Sequence, residues 1–522
     1  MAAAFIADCL RFDSVIVMAN DLKNGKTNAS SPSFAEITPL RAPHVYAAIS
    51  NDPQNMSLKY VVMEPTLAED EKKALKAIKD ILFQILDVNM RSLGSTENAE
   101  KWLRDKVLKI IKDYKINIEE GTVDKLQYYL IRDLISFGVI DPLMHDHMIE
   151  DISCDGPNIP VYIWHRRYES IPTSLLFEDE NELDSFVVRL AYLAGKHISI
   201  ANPMLDASLG DGSRIQLTYA REVTRKGSTF TIRRFRADPL TVVDLIDLNT
   251  MSYEMAAWFW FAIEKKSNIL IAGGTASGKT TTLNSLSAFV PTNSKIVTIE
   301  DTAELNLNHE NWISAIARIG FGSSGAADIT LFDLLKAAMR QRPDYVIVGE
   351  VRGDEAFTLF QAMATGHGGI SSIHADSPTS AFNRLESEPM NIPRTLLTIL
   401  DTVAMVQRVR VADRSTRRVT SIAEVVELDP VSREIIQNEV FRWDPVKDTF
   451  EYSGRSILVD RITKEFGLTK DYVSEELKRR RMLLEWMYLN KIRRFGDVGR
   501  VIRDYYADPE GMVEKIRLRM TV

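Results

Sequence analysis

Apolar positions recur every three to four residues from Thr66 onward. Ala74, Ile78, Ile81 and Ile85 share one face, and Thr66 to Glu69 has the spacing of a capping box, so a helix is predicted there. Residues 100–117 and 122–137 repeat the amphipathic spacing, which makes 51–139 a small helical module. Ahead of it, 1–50 contains the polar stretch DLKNGKTNASSPS, too poor in apolar side chains to order itself, and is expected to form a flexible leader. From 140 the period shortens to two. IEDISCDG, VYIWHRRY, SRIQLTY and STFTIRRF are β-branched and aromatic runs broken by Gly, Pro and Asp, so 140–237 reads as an α+β domain. Pro239 disfavours helix at Asp238 and marks a linker and hinge. Beyond it, strands SNILIA, KIVTIE and DYVIVG alternate with helical stretches such as TTLNSLSAFV, which assigns 238–405 to a parallel α/β core. Residues 406–522 read as antiparallel strands and then helices, a C-terminal extension.

Length and composition agree with several soluble domains. The chain has 522 residues, 45% apolar and 26% charged, enough for about three cores. Its net charge of -8 gives no overall pull toward nucleic acid or anionic lipid. Cys9 and Cys154 are the only cysteines, so neither a disulfide framework nor a zinc ribbon can be built, and His145, His147 and Cys154 are too scattered for a closed tetrahedral site. The longest apolar run, Met255 to Ile263, is too short to span a bilayer. The first residues are broken by Asp8, Arg11 and Asp13 without a basic leader, so the sequon at Asn28 is expected to be fortuitous. Any membrane role is therefore expected to run through a partner.

The chemistry concentrates between 270 and 375. Gly273, Gly274, Thr275, Ala276, Ser277, Gly278, Lys279 and Thr280 spell GxxxxGK[ST] between a strand and a helix, with Thr281 next in line. In that context the glycines let main-chain amides curl round phosphates, Lys279 supplies a cation to the β and γ oxygens, and the Thr280 hydroxyl suits Mg2+. Strand YVIV ends in Gly349 and Glu350, where an acid faces the metal, and the intervening Gly suggests that Glu350 acts through a metal-bound water. Glu300, Asp301 and Glu304 put three carboxylates in five residues at another strand end, where one of them can orient a hydrolytic water or all can be simply solvated. His367 and His374 flank a Gly-containing run and can sense the γ-phosphate or be structural. Arg214 and Arg233 lie on two predicted strands before the hinge, as phosphate ligands or as exposed strand residues. Lys478 to Arg481 reads as a solvated helix face that a partner can use.

Together GGTASGKT, TIEDTAEL, RQRPDYVIVGEVRGDEA and TGHGGISSIHA resemble the Walker A, Asp, Walker B and His boxes of the type II/IV secretion ATPase superfamily. IEDISCDG, GKHISIANPMLDASLGDGSR and FTIRRF are similar to its archaeal branch, which drives type IV pili, archaella and secretion systems. The resemblance implies a RecA-like P-loop ATPase domain preceded by an α+β domain. It also implies ATP and Mg2+ as cofactors, Glu304 and Glu350 as catalytic acids, and His367 and His374 as the His-box pair. Arg214 and Arg233 would be the arginines that reach the nucleotide. It further implies a cytoplasmic homo-hexamer peripheral at the membrane face, bound to a polytopic membrane platform protein, meeting pilin-like or archaellin subunits only indirectly, and no nucleic acid. The alternatives in view are a P-loop nucleic-acid translocase and a nucleotide-gated structural ring.

Overall fold

The computed structural model describes residues 34–42, 44–52, 57–85, 96–118, 121–235, 238–318, 328–412 and 414–520. Two compact units divide between Phe235 and Arg236, two residues ahead of the boundary placed at 237/238.

In the first unit nine strands form one sheet: β1 (Phe34–Arg41), β2 (Val45–Asp52), β3 (Ser57–Met63), β4 (Ile149–Cys154), β5 (Pro160–His165), β6 (Glu169–Leu176), β7 (Met204–Ser208), β8 (Arg214–Thr218) and β9 (Thr229–Arg233). Their order is β1-β2-β3-β6-β5-β4-β9-β8-β7, antiparallel throughout except where Tyr60 of β3 pairs in parallel with Thr173 of β6. Strand alternation decides which side chains form the core. On β9, Phe230 and Ile232 are fully buried while Thr231 and Arg233 are exposed. Helix Glu180–Leu193 packs Phe186 against Phe177 and Phe230, with ring centroids 5.1 and 5.3 Å apart.

The first three strands correct the expected leader and module. Val45, Ala47, Ala48 and Ile49 of β2 are buried, as is Tyr60 of β3, whose hydroxyl donates to Asp146 Oδ2 at 2.6 Å. An ordered sheet edge stands where flexible chain is expected over 34–50, because β2 pairs with both β1 and β3 and buries its apolar side chains there. Residues 1–33, with Asn28, lie outside the described residues. Helices Glu69–Ile85, Thr96–Asp113 and Thr122–Leu134 bury Ile78, Leu82, Leu103, Val107, Leu126 and Leu130 in a core of their own. The first begins at Glu69 rather than beside a Thr66 cap, with the Glu71 carboxylate accepting from Ala68 N at 2.7 Å.

The second unit holds the other large sheet: β10 (Ile269–Gly273), β11 (Ile296–Glu300), β12 (Trp312–Ile316), β13 (Tyr345–Val348), β14 (Gly368–His374), β15 (Thr402–Val411), β16 (Arg414–Leu428), β17 (Ile435–Asp444) and β18 (Thr449–Tyr452). The order is β12-β11-β13-β14-β10-β15-β16-β17-β18, parallel as far as β15 and antiparallel from there on. Residues 406–522 are therefore not an appendage, because β15 crosses the expected boundary and β16 to β18 continue the same sheet. Their helices also share the central core: Trp260 of helix Tyr253–Glu264 stacks on Phe289 at 4.9 Å and meets Tyr505 edge-on at 5.2 Å. The run Met255 to Ile263 is wholly buried there, and among the described residues no helix is long and apolar enough to cross a membrane.

Within helix Lys470–Leu489, the run Lys478 to Arg481 departs from a solvated face, because Arg480 is only 2% exposed. Its guanidinium binds Glu264 and Glu476 (Nε to Glu476 Oε1, 3.0 Å) and lies 5.3 Å from the Trp260 ring, while Tyr505 Oη donates to the same Glu476 oxygen at 2.7 Å. Removing one partner of a buried ion pair leaves uncompensated charge, so Arg480→Ala should cost about 3 to 5 kcal/mol. Urea unfolding of the variant checks this, and a loss below about 1 kcal/mol would show the network to be dispensable.

Candidate active site

The parallel register brings four strand ends to one edge. Gly273 of β10 pairs with His374 of β14, Val348 of β13 with Ser371 of β14, and Ile299 of β11 with Val348. The loops leaving Gly273, Glu300, Val348 and His374 therefore emerge side by side, the usual place for a ligand in an open α/β sheet.

The loop after β10 wraps into helix Lys279–Ser287 with Gly278 at φ +97° and Ala276 at φ +55°. The left-handed Gly278 costs little, whereas a β-carbon at Gly273 would stand 2.1 Å from Val406 O. The helix has no side-chain cap, which leaves its first amides free to bind an anion. Ser277 Oγ is buried without a partner, and Lys279 Nζ donates to Gly274 O at 3.0 Å, folded back over its own loop. Burial pulls the lysine below its ordinary pKa; Glu350 and Glu304 oppose that, and Arg352 and Arg384 add to it. An uncapped helix start, an orphaned hydroxyl and a half-desolvated ammonium together fit a phosphate chain.

Around the loop, Thr275 Oγ1 lies 2.8 Å from His374 Nε2, and Arg384 donates to His374 O at 2.8 Å. Glu350 Oε2 accepts from Arg352 Nη2 at 2.6 Å, and the same guanidinium lies 3.7 Å from Asp301, bridging two of the acid-bearing loops. Thr280 and Thr281 are half-buried on the first turn of the helix. Among the described residues no group of three or more His, Cys, Asp or Glu is set to hold a metal alone.

His367 is elsewhere. It precedes β14 while His374 ends it, and a strand of seven residues at about 3.3 Å per residue sets the two roughly 20 Å apart. Its Nδ1 donates to Ala362 O at 3.0 Å and closes the end of helix Glu355–Ala364. The expected histidine pair is thus split, and only His374 stands at the phosphate loop of this chain.

Arg214 and Arg233 occupy the first unit, directly opposite each other across β8 and β9. Arg214 holds Asp206 (Nε to Oδ1, 2.9 Å) and Arg233 holds Asp151 (Nε to Oδ1, 3.4 Å), both on the exposed side of the sheet. Arg234 faces the other way and donates to the carbonyls of Met144 (2.7 Å), Ile149 (3.2 Å) and Asp146, so it is a structural clasp.

Two neighbours escaped the sequence reading. Arg417 of β16 lays its Cγ 3.7 Å from where a Gly278 β-carbon would be, a contact across distant segments that no local pattern announces. Glu300, read only as one of three clustered acids, is 4% exposed.

A family model described as "Type II/IV secretion system protein" matches residues 134–465. The chain belongs to the type II/IV secretion system protein family. An uncharacterized protein of Methanocaldococcus jannaschii is 36% identical over 86% of this chain and 85% of its own. Type IV secretion system protein PtlH of Bordetella pertussis is 32% identical over 48% of this chain and 87% of its own. The solved VirB11 ATPase of the Brucella suis type IV secretion system is 25% identical over 54% of this chain and 94% of its own, at a TM-score of 0.27.

The buried acid gives this family member a pH signature. Burial, with Glu304 adding to it, lifts the Glu300 carboxyl from 4.5 to about 7 against two backbone amides that oppose the shift. The native state then binds more protons than the unfolded chain between those values, so stability falls as pH rises through them, by up to about 3 kcal/mol. Glu300→Gln should remove that slope. Thermal melts at pH 5 and pH 8 should show the variant gaining on wild type at the higher pH; equal differences at both would mean that the carboxyl does not titrate there.

Proposed function

We propose that this chain is a Mg2+-dependent ATPase motor that powers assembly of a type IV pilus-like filament, an archaellum or a secretion apparatus. In this reading it works as a cytoplasmic hexamer docked on a polytopic membrane platform protein, within the archaeal branch of its family. The observation that carries the proposal is the uncapped start of helix Lys279–Ser287 with Lys279 folded over its own loop, on the strand-end edge from which the Glu304 and Glu350 loops also emerge. One ammonium that feels two separate carboxylates beside a phosphate cradle suits phosphoryl transfer to water.

Bound Mg-ATP supplies the γ-phosphoryl group and the divalent charge that draws its oxygens. Gly273 to Thr281 bind the phosphates through main-chain amides, and Lys279 leaves Gly274 O to neutralise the β and γ oxygens. Thr280 and Glu350 would hold a divalent metal, which would draw charge from the phosphate oxygens. Glu304 orients the attacking water and takes its proton, and His374, already on Thr275, reads the γ position. His367, at the opposite end of β14 from His374, lies away from this chain's phosphate loop. Arg214 and Arg233 are the arginines this reading assigns to the nucleotide's phosphates.

Glu304→Gln should keep Mg-ATP bound while turnover falls on the order of 10²-fold or more. Steady-state hydrolysis with a fluorescent-nucleotide titration checks this, and full turnover in the variant removes Glu304 from the mechanism. Stimulation by single-stranded DNA instead of by membranes bearing the platform protein would turn the reading toward a translocase.

Arg233→Ala should leave ADP affinity in place and lose about 10³-fold in hydrolysis, the scale expected of an arginine acting on transition-state charge. The control is Arg221, an exposed arginine paired with Glu180. Arg234 cannot serve, since its loss would open the clasp on three carbonyls. Equal rates in Arg233→Ala and Arg221→Ala would leave Arg233 an ordinary surface residue.

A further inference from the structure

Glu300 is the last residue of β11, and its Oε1 accepts from the main-chain N–H of Glu304 at 3.0 Å and of Leu305 at 2.9 Å. Those two bonds close the turn that carries Asp301 and Glu304. The same side chain lies beneath the neighbouring loop, where a β-carbon on Gly349 would stand 3.2 Å from Glu300 Cγ and 3.7 Å from its Oε1. Gly349 is the residue before Glu350. One buried carboxyl therefore touches both backbone segments that present the acids facing Lys279. We infer that Glu300 is a positioning residue for hydrolysis, holding the Glu304 turn in register with the Glu350 segment.

The chemistry of the position supports this over two simpler roles. A core position wanting only volume would take Leu or Met, yet here a carboxyl is kept although its Oε2 is buried with no partner, an expensive arrangement unless Oε1 has a task. As a general base it is badly placed, because Oε1 is occupied by two amides and the acids acting on Lys279 are Glu350 and Glu304. A loop acid that must aim a water to within about 0.5 Å needs a fixed support. The Gly at 349 has its reason here too: any side chain would press on the support.

The inference rests on Glu304 acting on the water, and one set of full-length variants separates the two claims. Glu300→Ala should lower kcat about 10- to 100-fold with the nucleotide Kd within about twofold of wild type. Glu300→Gln keeps an acceptor oxygen for both amides and should recover most of that loss. In a Glu304→Gln background Glu300→Ala should cost nothing further, because the placement of an absent base has no effect. Gly349→Ala, which crowds Glu300 without removing it, should also lower kcat and spare Kd, and keeps the test open if Glu300→Ala misfolds. Wild-type kcat in Glu300→Ala, a parallel loss of Kd, or a full multiplicative loss in the Glu300→Ala/Glu304→Gln double variant would overturn the inference. Full hydrolysis in Glu304→Gln alone would instead overturn the reading on which it rests.

Discussion

The in-register parallel pairing of β11, β13, β14 and β10 is the constraint on which everything else at the active edge depends. A parallel sheet places like ends together, so residues just over a hundred positions apart, such as Gly273 and His374, become neighbours without any local sequence relation. Both faces of that sheet must be covered, and two apolar clusters cover them: one built on Trp260, Phe289 and Tyr505, the other on Leu335, Phe360 and Phe382. With the strands clamped from both sides, their ends cannot slide, and the loops they launch inherit a fixed spacing. A one-residue slip of β14 would put Ala375 in place of His374 beside Gly273.

The parallel α/β core, the α+β unit before it and the phosphate loop were all legible in the sequence, because each rests on short-range patterns. Strand, Gly-rich turn and helix follow one another within twenty residues at 269–287, and period-two alternation correctly set Phe230 and Ile232 against Thr231 and Arg233. What was not legible depends on the third dimension. His367 and His374 look like a pair because they are seven residues apart in one motif, but a strand turns sequence proximity into distance across a sheet. Arg480 looks like one of four basic residues on a surface, but a helix shows a different face every residue and this one turns inward to Glu264 and Glu476. The strands over 34–63 were not legible because each is short and what joins them to the rest of the sheet is β6, more than a hundred residues onward.

The carboxylates show the same contrast at finer scale. Sequence places Glu300, Asp301 and Glu304 together and cannot rank them. The structure separates them by environment: Glu300 under Gly349, Asp301 toward Arg352, Glu304 within reach of Lys279's charge. Identical chemistry in five residues thus divides into a support, a bridge and an exposed acid, because burial and partners differ for each.

The antiparallel half of the sheet completes the argument. β15 pairs with β10 only as far as Met405 and Ala272, then bulges and runs on with β16 past the end of β10. That overhang is what meets the phosphate loop: Val406 O presses on Gly273, Arg417 rests its stem on Gly278, and Gln407 donates to Asp376 O at 3.2 Å just beyond His374. The loop is therefore held between the parallel strands that aim it and a hairpin that backs it. Two of its glycines answer to different causes, Gly278 to a left-handed turn and Gly273 to a carbonyl from a strand more than 130 residues away. An extension that the sequence sets apart as a separate domain is, in packing terms, one wall of the site.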